Sequence, residues 1–494
     1  MLPLSIFSVN LLSENLLLLC SILIFVAILV TKLGSRFGVP SLLLFLLLGR
    51  AVGADGLGLH FDDYEVAESI GHFAMTIILF SAGLETSLKE TRPVFRQGTL
   101  LSTLGVLLTV ILTGLFIWLV PGKAGNSSLL VCMLLAAVMG STDSASVFSV
   151  LRGKKLHLRE NLAPMLELES GSNDPMAYTL TIILVKILST EGVTTHGGWS
   201  AVLTGFSVLL IQILVGLAVG LAVGFAAVWL LNRVRFPGFA LTSILVLSVG
   251  LFANGFASLL HGNGLLALYV AAIYIGNKAR LPQRKDILTF FDGFTWLMQL
   301  VMFLVLGLLA RPSQMLPVVF PAILIGLFMT LVARPASVFL CLLPFRGLST
   351  RAKTFVSWVG LKGAGPILFA LCPVVAGLER ATDIFNIVYL ITLFSLLLQG
   401  SSLSRVARWL RLSYDEDPKA ETFGIEVPEE MGMLRDHVVS EEDLAAGNTL
   451  RDLNLPHGIR VMMVRRDGRF LVPHGSMPLE VGDHLVIIMG DSDD

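Results

Sequence analysis

LAPMLELESGSNDPMAYTLTIILVKIL, residues 162–188, is long enough to cross a bilayer, yet its first half carries Glu167, Glu169, Asn173 and Asp174. Carboxylates at membrane depth cost several kcal/mol or more, so such residues face a partner or a watery cavity. On a helix Ser170 and Asp174 stand four apart, as do Glu169 and Asn173, which places the two pairs on adjacent faces. Pro175 lacks a backbone N–H, so the carbonyl one turn earlier, near Gly171, is left short of its donor. A carboxylate, a hydroxyl, an amide and a loosened carbonyl close together make a hard-oxygen site for a small cation. The competing reading treats these residues as a loop before a span starting near Met176. It leaves too few apolar residues before Lys186 to cross comfortably.

The whole chain agrees with a membrane setting. Of 494 residues, 54% are hydrophobic and 14% charged, well below the roughly 25% charged residues of a soluble protein. Net charge is −1, and 18 of the 36 acidic residues fall from Tyr414 onward. Nothing in this balance points to nucleic acid. Cys20, Cys132, Cys341 and Cys372 all lie in apolar runs without metal or redox spacing and read as small core residues. The first apolar run lacks a basic leader and a small-residue cleavage site, so no cleavable signal peptide is expected.

Working outward, apolar runs of spanning length occur near 15–31, 40–58, 66–84, 98–120, 128–151, 162–188, 200–231, 238–258, 264–278, 293–310, 316–344, 354–374 and 382–404. That is thirteen. Basic clusters follow the odd-numbered runs, for example Lys89/Arg92/Arg96, Arg152/Lys154/Lys155/Arg159, Lys278/Arg280/Arg284/Lys285 and Arg405/Arg408/Arg411. The loops after even-numbered runs hold only Lys123, Arg311 and Arg380. The positive-inside rule then places the N-terminus outside and the C-terminus in the cytoplasm. Gly216, Gly220 and Gly224 in span 7 form a stripe suited to close helix packing, within the protomer or across a dimer.

Two spans have interrupted interiors. Span 5 contains Met139-Gly140-Ser141-Thr142-Asp143-Ser144, and span 12 contains Gly360-Leu361-Lys362-Gly363-Ala364-Gly365-Pro366. Glycine and proline at that density oppose a continuous helix. Spans 4–6 and 11–13 run in opposite directions, and matching breaks in two such groups point to an inverted-repeat transporter with a midplane site. If the breaks cross, Asp143 can meet helix N-terminal ends and Lys362 can offset C-terminal ends. Asp143 also reads as a simple cap in a kinked span, and for Lys362 a structural role outweighs a catalytic one, because a fixed cation repels a cation substrate. Arg334, in the middle of span 11, needs a carboxylate, and Glu169 is the candidate; that pairing leaves Asp174 as the titrating group. Glu85 ends span 3 as an interfacial residue, and His72 reads as packed or interfacial.

STDSASVFSVLRG, LELESGSNDPMA, VARPASVFLCLLPF and SWVGLKGAGPIL together resemble the NhaP-type cation:proton antiporters of the cation:proton antiporter 1 family, in particular its potassium/proton, cell-volume-regulation branch. The resemblance covers nearly the whole membrane part. It implies an electroneutral exchanger, usually a homodimer, with a dimerisation domain and a moving core that holds crossed helices. It places the family's Asn-Asp pair on Asn173 and Asp174, its Thr-Asp on Thr142 and Asp143, its ion-site serine on Ser170, and its glutamate–arginine pair on Glu169 and Arg334. Ser81 stands where many relatives carry an acid, and Lys362 and Gly365 depart from the more usual Gly-Leu-Arg-Gly-Ala-Val-Pro.

Residues 1–411 are thus expected to form an all-α polytopic exchanger domain in a bacterial inner membrane. Residues 412–430, acidic with Pro418 and Pro428, read as a linker. Residues 431–494 read as a small cytosolic α+β module: strands near 433–439, 459–465, 469–473 and 484–489, a helical piece near 447–453, and a hairpin at Arg466-Asp467-Gly468. GNTLRDLNLP and LEVGDHLVII resemble a TrkA-C (RCK-C) regulatory domain, for which a nucleotide is one possible ligand and protomer pairing another. The expected function is exchange of K+, or Na+, for H+ by alternating access. Asp174 binds either ion in turn, Asn173 and Asp143 assist, and Ser170 and Thr142 add oxygens. No cofactor and no enzymatic activity are expected, and no P-loop supplies ATP chemistry. A regulated channel lacks its TVGYG-type filter here, and a non-transporting ion sensor is the third reading.

Overall fold

The computed structural model describes residues 16–37, 41–120, 128–152, 156–190, 199–234, 238–281, 283–345, 347–415, 434–440, 443–444, 447–453, 459–466 and 469–489. The chain divides into two units, Met1–Tyr414 and Asp415–Asp494. Most of the expected acidic linker lies outside the described residues.

In the first unit, seven helices are long and apolar enough to cross a bilayer, among them Tyr64–Glu85, Arg284–Leu308 and Ala381–Trp409. Five shorter apolar helices accompany them, and Leu162–Thr190, whose charges lower its hydropathy, completes thirteen spans among the described residues. The unit is a mostly helical membrane architecture rather than the all-α one expected, because Leu156–Leu158 pairs with the strand that begins at Ser413. Large apolar side chains such as Phe206, Leu214, Phe225, Ile244 and Phe252 remain exposed on its surface, as a lipid-facing surface requires.

Helix starts follow their caps. Asp63 accepts from the Val66 N–H at 3.0 Å ahead of Tyr64–Glu85, and Ser349 accepts from Ala352 at 3.1 Å ahead of Thr350–Trp358. Span 4 begins earlier than its apolar run, at Leu88, because the charged segment before residue 98 is helical too. Span 5 stops at Val138 and resumes at Ser144; span 12 stops at Trp358 and resumes at Ala364.

The inverted repeat is written in the backbone of spans 4 and 11. Each begins with a short α turn, passes through a 3-10 turn containing a proline (Arg92–Val94, Leu316–Val318), continues as α-helix, and opens into a π turn (Leu101–Gly105, Met329–Ala333) before its last segment. Four residues past each π turn stand Thr109 and Ser337. Their hydroxyl oxygens lie 3.0 Å apart, Thr109 facing Ser337 as donor, and each also lies within hydrogen-bond distance of the last carbonyl of its own π turn, at 2.7 and 2.8 Å.

Spans 7 and 9 pack through the glycine stripe. A Cβ on Gly220 would lie 2.6 Å from the Ala267 carbonyl oxygen, and one on Gly216 would lie 2.8 Å from that of Asn263. The stripe therefore works inside the protomer, bringing Trp199–Arg233 against Gly264–Lys278.

The second unit is a four-stranded antiparallel sheet in the order Leu434–Val438, His484–Met489, Ile459–Arg466, Arg469–Leu471. Arg466 pairs with Arg469, and the turn residues 467–468 between them lie outside the described residues. The expected helical piece at 447–453 is a series of turns. Leu450 N–H donates to Met477 O and Arg451 N–H to Gly475 O, so the donors a helix would use are taken by a neighbouring segment. Val464, Leu479, Leu485 and Ile487 form the core of this unit.

Candidate functional site

The two breaks meet. The Asp143 N–H donates to the Leu361 carbonyl at 2.8 Å, joining span 5 to span 12 where neither is helical. Lys362, 4% exposed, donates its ammonium to the Met139 and Ser141 carbonyls at 2.6 and 2.8 Å. Those carbonyls follow the half-helix Leu129–Val138, so the cation sits at its negative end. The Lys362 N–H is held by Ser395 at 2.9 Å, and Ser395 is bonded in turn to Gln399.

Asp143 starts the other half. Its carboxylate accepts from the Ser146 N–H at 3.1 Å and from the Ser146 hydroxyl, capping Ser144–Arg152. Gly363 passes so near that a Cβ there would lie 2.7 Å from the Asp143 Cβ. Asp143 is therefore both a cap and a wall of the cavity described below.

Span 6 supplies the third side. The Ser170 hydroxyl donates to the Thr142 carbonyl at 2.7 Å and accepts from the Ser144 N–H at 3.0 Å. Asn173, fully buried, donates to the Thr142 hydroxyl at 2.6 Å and accepts from the Thr142 N–H at 3.4 Å. Both ends of its amide are thus committed to holding the break of span 5. Asp174, on the neighbouring face, accepts from the Ser141 hydroxyl. Glu169 and Arg334 form a buried ion pair with side chains 1% and 7% exposed.

A cavity of about 430 Å³ reaches this cluster, with Asp174, Asp143, Ser141, Thr142 and Ser170 on its wall. Towards its mouth it is lined by Glu85, Glu167 and Asp292, with Thr295 and Gln299 along the side. Ser81 is buried and also lines it, between Ile78 and Ala82. Asn173, Glu169, Arg334 and Lys362 do not line it; they brace the elements that do. Ser141, Asp292 and Gln299 were not singled out from the sequence. Ser141 had a visible signal, its place in the polar patch of span 5. Asp292 and Gln299 lie in the middle of Arg284–Leu308, the first just before and the second inside the 293–310 apolar run, where Gln299 as a polar residue was the only available signal.

The sequence profile described as "Sodium/hydrogen exchanger, transmembrane" matches residues 21–409. The chain belongs to this exchanger family. The TrkA-C domain profile matches residues 434–493, so the exchanger's second unit is a TrkA-C domain. The exchanger is 37% identical over 475 residues to the K(+)/H(+) antiporter NhaP2 of Shewanella oneidensis, covering 95% of this chain and 80% of that one. It is 36% identical over 488 residues to the K(+)/H(+) antiporter NhaP of Alkalimonas amylolytica, with the same coverages. Among solved structures, the sodium proton antiporter MjNhaP1 from Methanocaldococcus jannaschii superposes with a TM-score of 0.68 at 22% identity, over 79% of this chain and 97% of that one. That likeness concerns the fold.

Proposed function

We propose that the protein is a monovalent cation:proton antiporter in which Asp174 carries either a proton or a cation, one at a time. The observation that carries this reading is the position of one carboxylate on the wall of the cavity, between two broken helices whose own charges are already matched. Asp143 is offset by the helix N-terminus it caps, Lys362 by the carbonyls it holds, and Glu169 by Arg334. Asp174 has only the Ser141 hydroxyl among its described hydrogen bonds.

A cation arriving at Asp174 finds carboxylate and hydroxyl oxygens, the donor set hard cations prefer. It displaces the proton, and the proton leaves by the same passage. Asn173 is neutral and fixed on Thr142, so one charge is exchanged for one. Potassium is the proposed cation, supported by the printed names of the two relatives above. With basic clusters after odd-numbered spans, the N-terminus is outside and the C-terminus in the cytoplasm. Glu85, Glu167 and Asp292 then sit beside the basic loops, and the cavity is open to the cytoplasm. The opposite-facing state follows by movement of the spans 4–6 and 11–13 bundle against the remainder. We further propose a homodimer, and a TrkA-C domain that adjusts exchange through a small ligand or by pairing protomers.

The test is cation-driven proton movement in proteoliposomes without imposed voltage, potassium against sodium, for wild type and Asp174→Asn. A pH change with potassium that vanishes in the variant is expected. Exchange that survives in Asp174→Asn would overturn the assignment of the carrier group. A purely voltage-driven cation current would overturn antiport itself.

A further inference from the structure

Asn263 has no place in that scheme, yet its side chain ties the start of span 9 to the helix carrying Asp174. It is 5% exposed and mounted rigidly. Its N–H donates to the Gln212 carbonyl at 3.0 Å, and its side-chain oxygen caps Gly264–Lys278 by accepting from Leu266 at 2.8 Å. Gly216 leaves no room behind it. Its amide nitrogen reaches across to span 6, donating to the Pro175 carbonyl at 2.8 Å and to the Thr179 hydroxyl at 2.5 Å. Thr179 also donates to the same carbonyl, closing a three-way contact one residue beyond Asp174.

Gly171, Pro175 and Thr179 stand four apart and form a single stripe on the Asp174 helix. One rung back from the contact, Gly171 meets the Tyr269 phenol of span 9, where any side chain on residue 171 would overlap the ring. The Gly171 carbonyl is the one that Pro175 leaves without its helical donor. Asn263, Pro175 and Thr179 do not line the cavity, whereas Gly171 and Asp174 do. The contact therefore lies past the cavity's closed end.

We propose that Asn263 is the latch of the closed side. Its amide holds the Pro175–Thr179 rung while the cavity is open on the opposite side, and takes the free Gly171 carbonyl when the Asp174 helix slides by one turn, about 5.4 Å. The direction is fixed by the topology. Span 6 runs from the cavity mouth towards the closed side, so carrying Asp174 towards that side brings Gly171 level with Asn263 and Glu167 level with Tyr269, whose ring has to turn aside in the same movement. A buried amide that lost its acceptors without replacement would oppose the motion, and the carbonyl freed by Pro175 supplies the replacement. Asn263 acts here as a positioning residue, and the proposal rests on the alternating-access reading above.

The experiment joins the two sides of the latch. Full-length protein carrying Asn263→Cys and Thr179→Cys is reconstituted, oxidised, and assayed for potassium/proton exchange before and after reductant, beside identically treated wild type. Bond formation is read by mass spectrometry. The expected result is a disulfide that reduces exchange to the level of protein-free vesicles, with return on reduction to the rate of the same double variant before oxidation. A bonded protein that exchanges at the wild-type rate overturns the latch, because the two residues then never part. Failure of the bond to form overturns it as well. A wild type without exchange sinks the transport reading first, and the latch with it. In the single variant Asn263→Ala, the KM measured from the cavity side should rise while that from the opposite side falls. Two unchanged KM values with a lower kcat would show a merely structural role and overturn the proposal.

Discussion

The Glu169–Arg334 pair gives the sharpest quantitative test of how the core is held. Both side chains are almost wholly removed from solvent, at 1% and 7% exposure, and sit within the bundle of broken helices. Surface pairs such as Arg311–Asp62, exposed at 32% and 53%, contribute roughly 0–1 kcal/mol. A buried pair behaves differently: removing one partner strands the other charge and costs about 3–5 kcal/mol. Glu169→Leu and Arg334→Met should each destabilise the protein by that amount. If the losses added, the double variant would lose about 6–10 kcal/mol. We expect it to lose no more than either single variant, because no charge is left stranded. Cys132, Cys341 and Cys372 are buried, so labelling by a thiol-reactive dye on heating in detergent reads the unfolding of all four proteins. A double variant that loses the sum of the singles would refute the argument, showing two independent roles in place of one pair.

Three further outcomes follow from the same geometry. Lys362→Met leaves the Met139 and Ser141 carbonyls without their charged donor and should cost about 3 kcal/mol or more, at 1.5–3 kcal/mol per charge-assisted bond, read by the same dye assay. Gly363→Ala drives a methyl group into the Asp143 side chain; exchange in proteoliposomes should fall at least about tenfold, while membrane yield stays within about twofold of wild type. In the TrkA-C domain, burial raises the Asp483 carboxyl, but bonds from Arg466 and the Glu480 N–H, with the Arg466 charge, hold it below its ordinary value of 3.8 on balance. A depressed folded value stabilises above the unfolded one and is lost as pH falls. Proteolytic resistance of that domain in the intact protein should therefore drop only below about pH 4, and Arg466→Ala should lower resistance at neutral pH while shrinking the drop on acidification.

Much of this was readable in the chain because a bilayer imposes a coarse ruler. About twenty apolar residues are needed per crossing, so thirteen spans and their alternating basic loops stand out. Glycine and proline at 360–366 and the polar patch at 140–146 announce broken helices by chemistry that helices cannot absorb. Glu169 and Arg334 found each other because neither can be buried alone. The π turn at Leu101–Gly105 carries no such marker in its sequence, whereas that at Met329–Ala333 precedes Pro335, which has no N–H for the Leu331 carbonyl. GNTLRDL misled because its Leu450 and Leu453 stand at helical spacing, while tertiary bonds from Leu450 and Arg451 to Met477 and Gly475 decide its shape. Asn263, in HGNG, carries no signal in the sequence, since its partners are 84 and 88 residues away.

The Thr109–Ser337 bond has a consequence for how evenly the protein is poised. It joins equivalent positions of two like halves, each four residues past its own π turn, so interchanging the halves returns the same bond. If the outward state is made by the halves trading roles, this contact is worth the same in both, and it favours neither. Weakening it makes both conformations shallower together and leaves their ratio untouched. The bias between them has to be written where the halves differ, in Asp143 against Lys362 and in the single-copy contact at Asn263. A duplicated scaffold thus sets a level balance, and a few unduplicated residues tilt it.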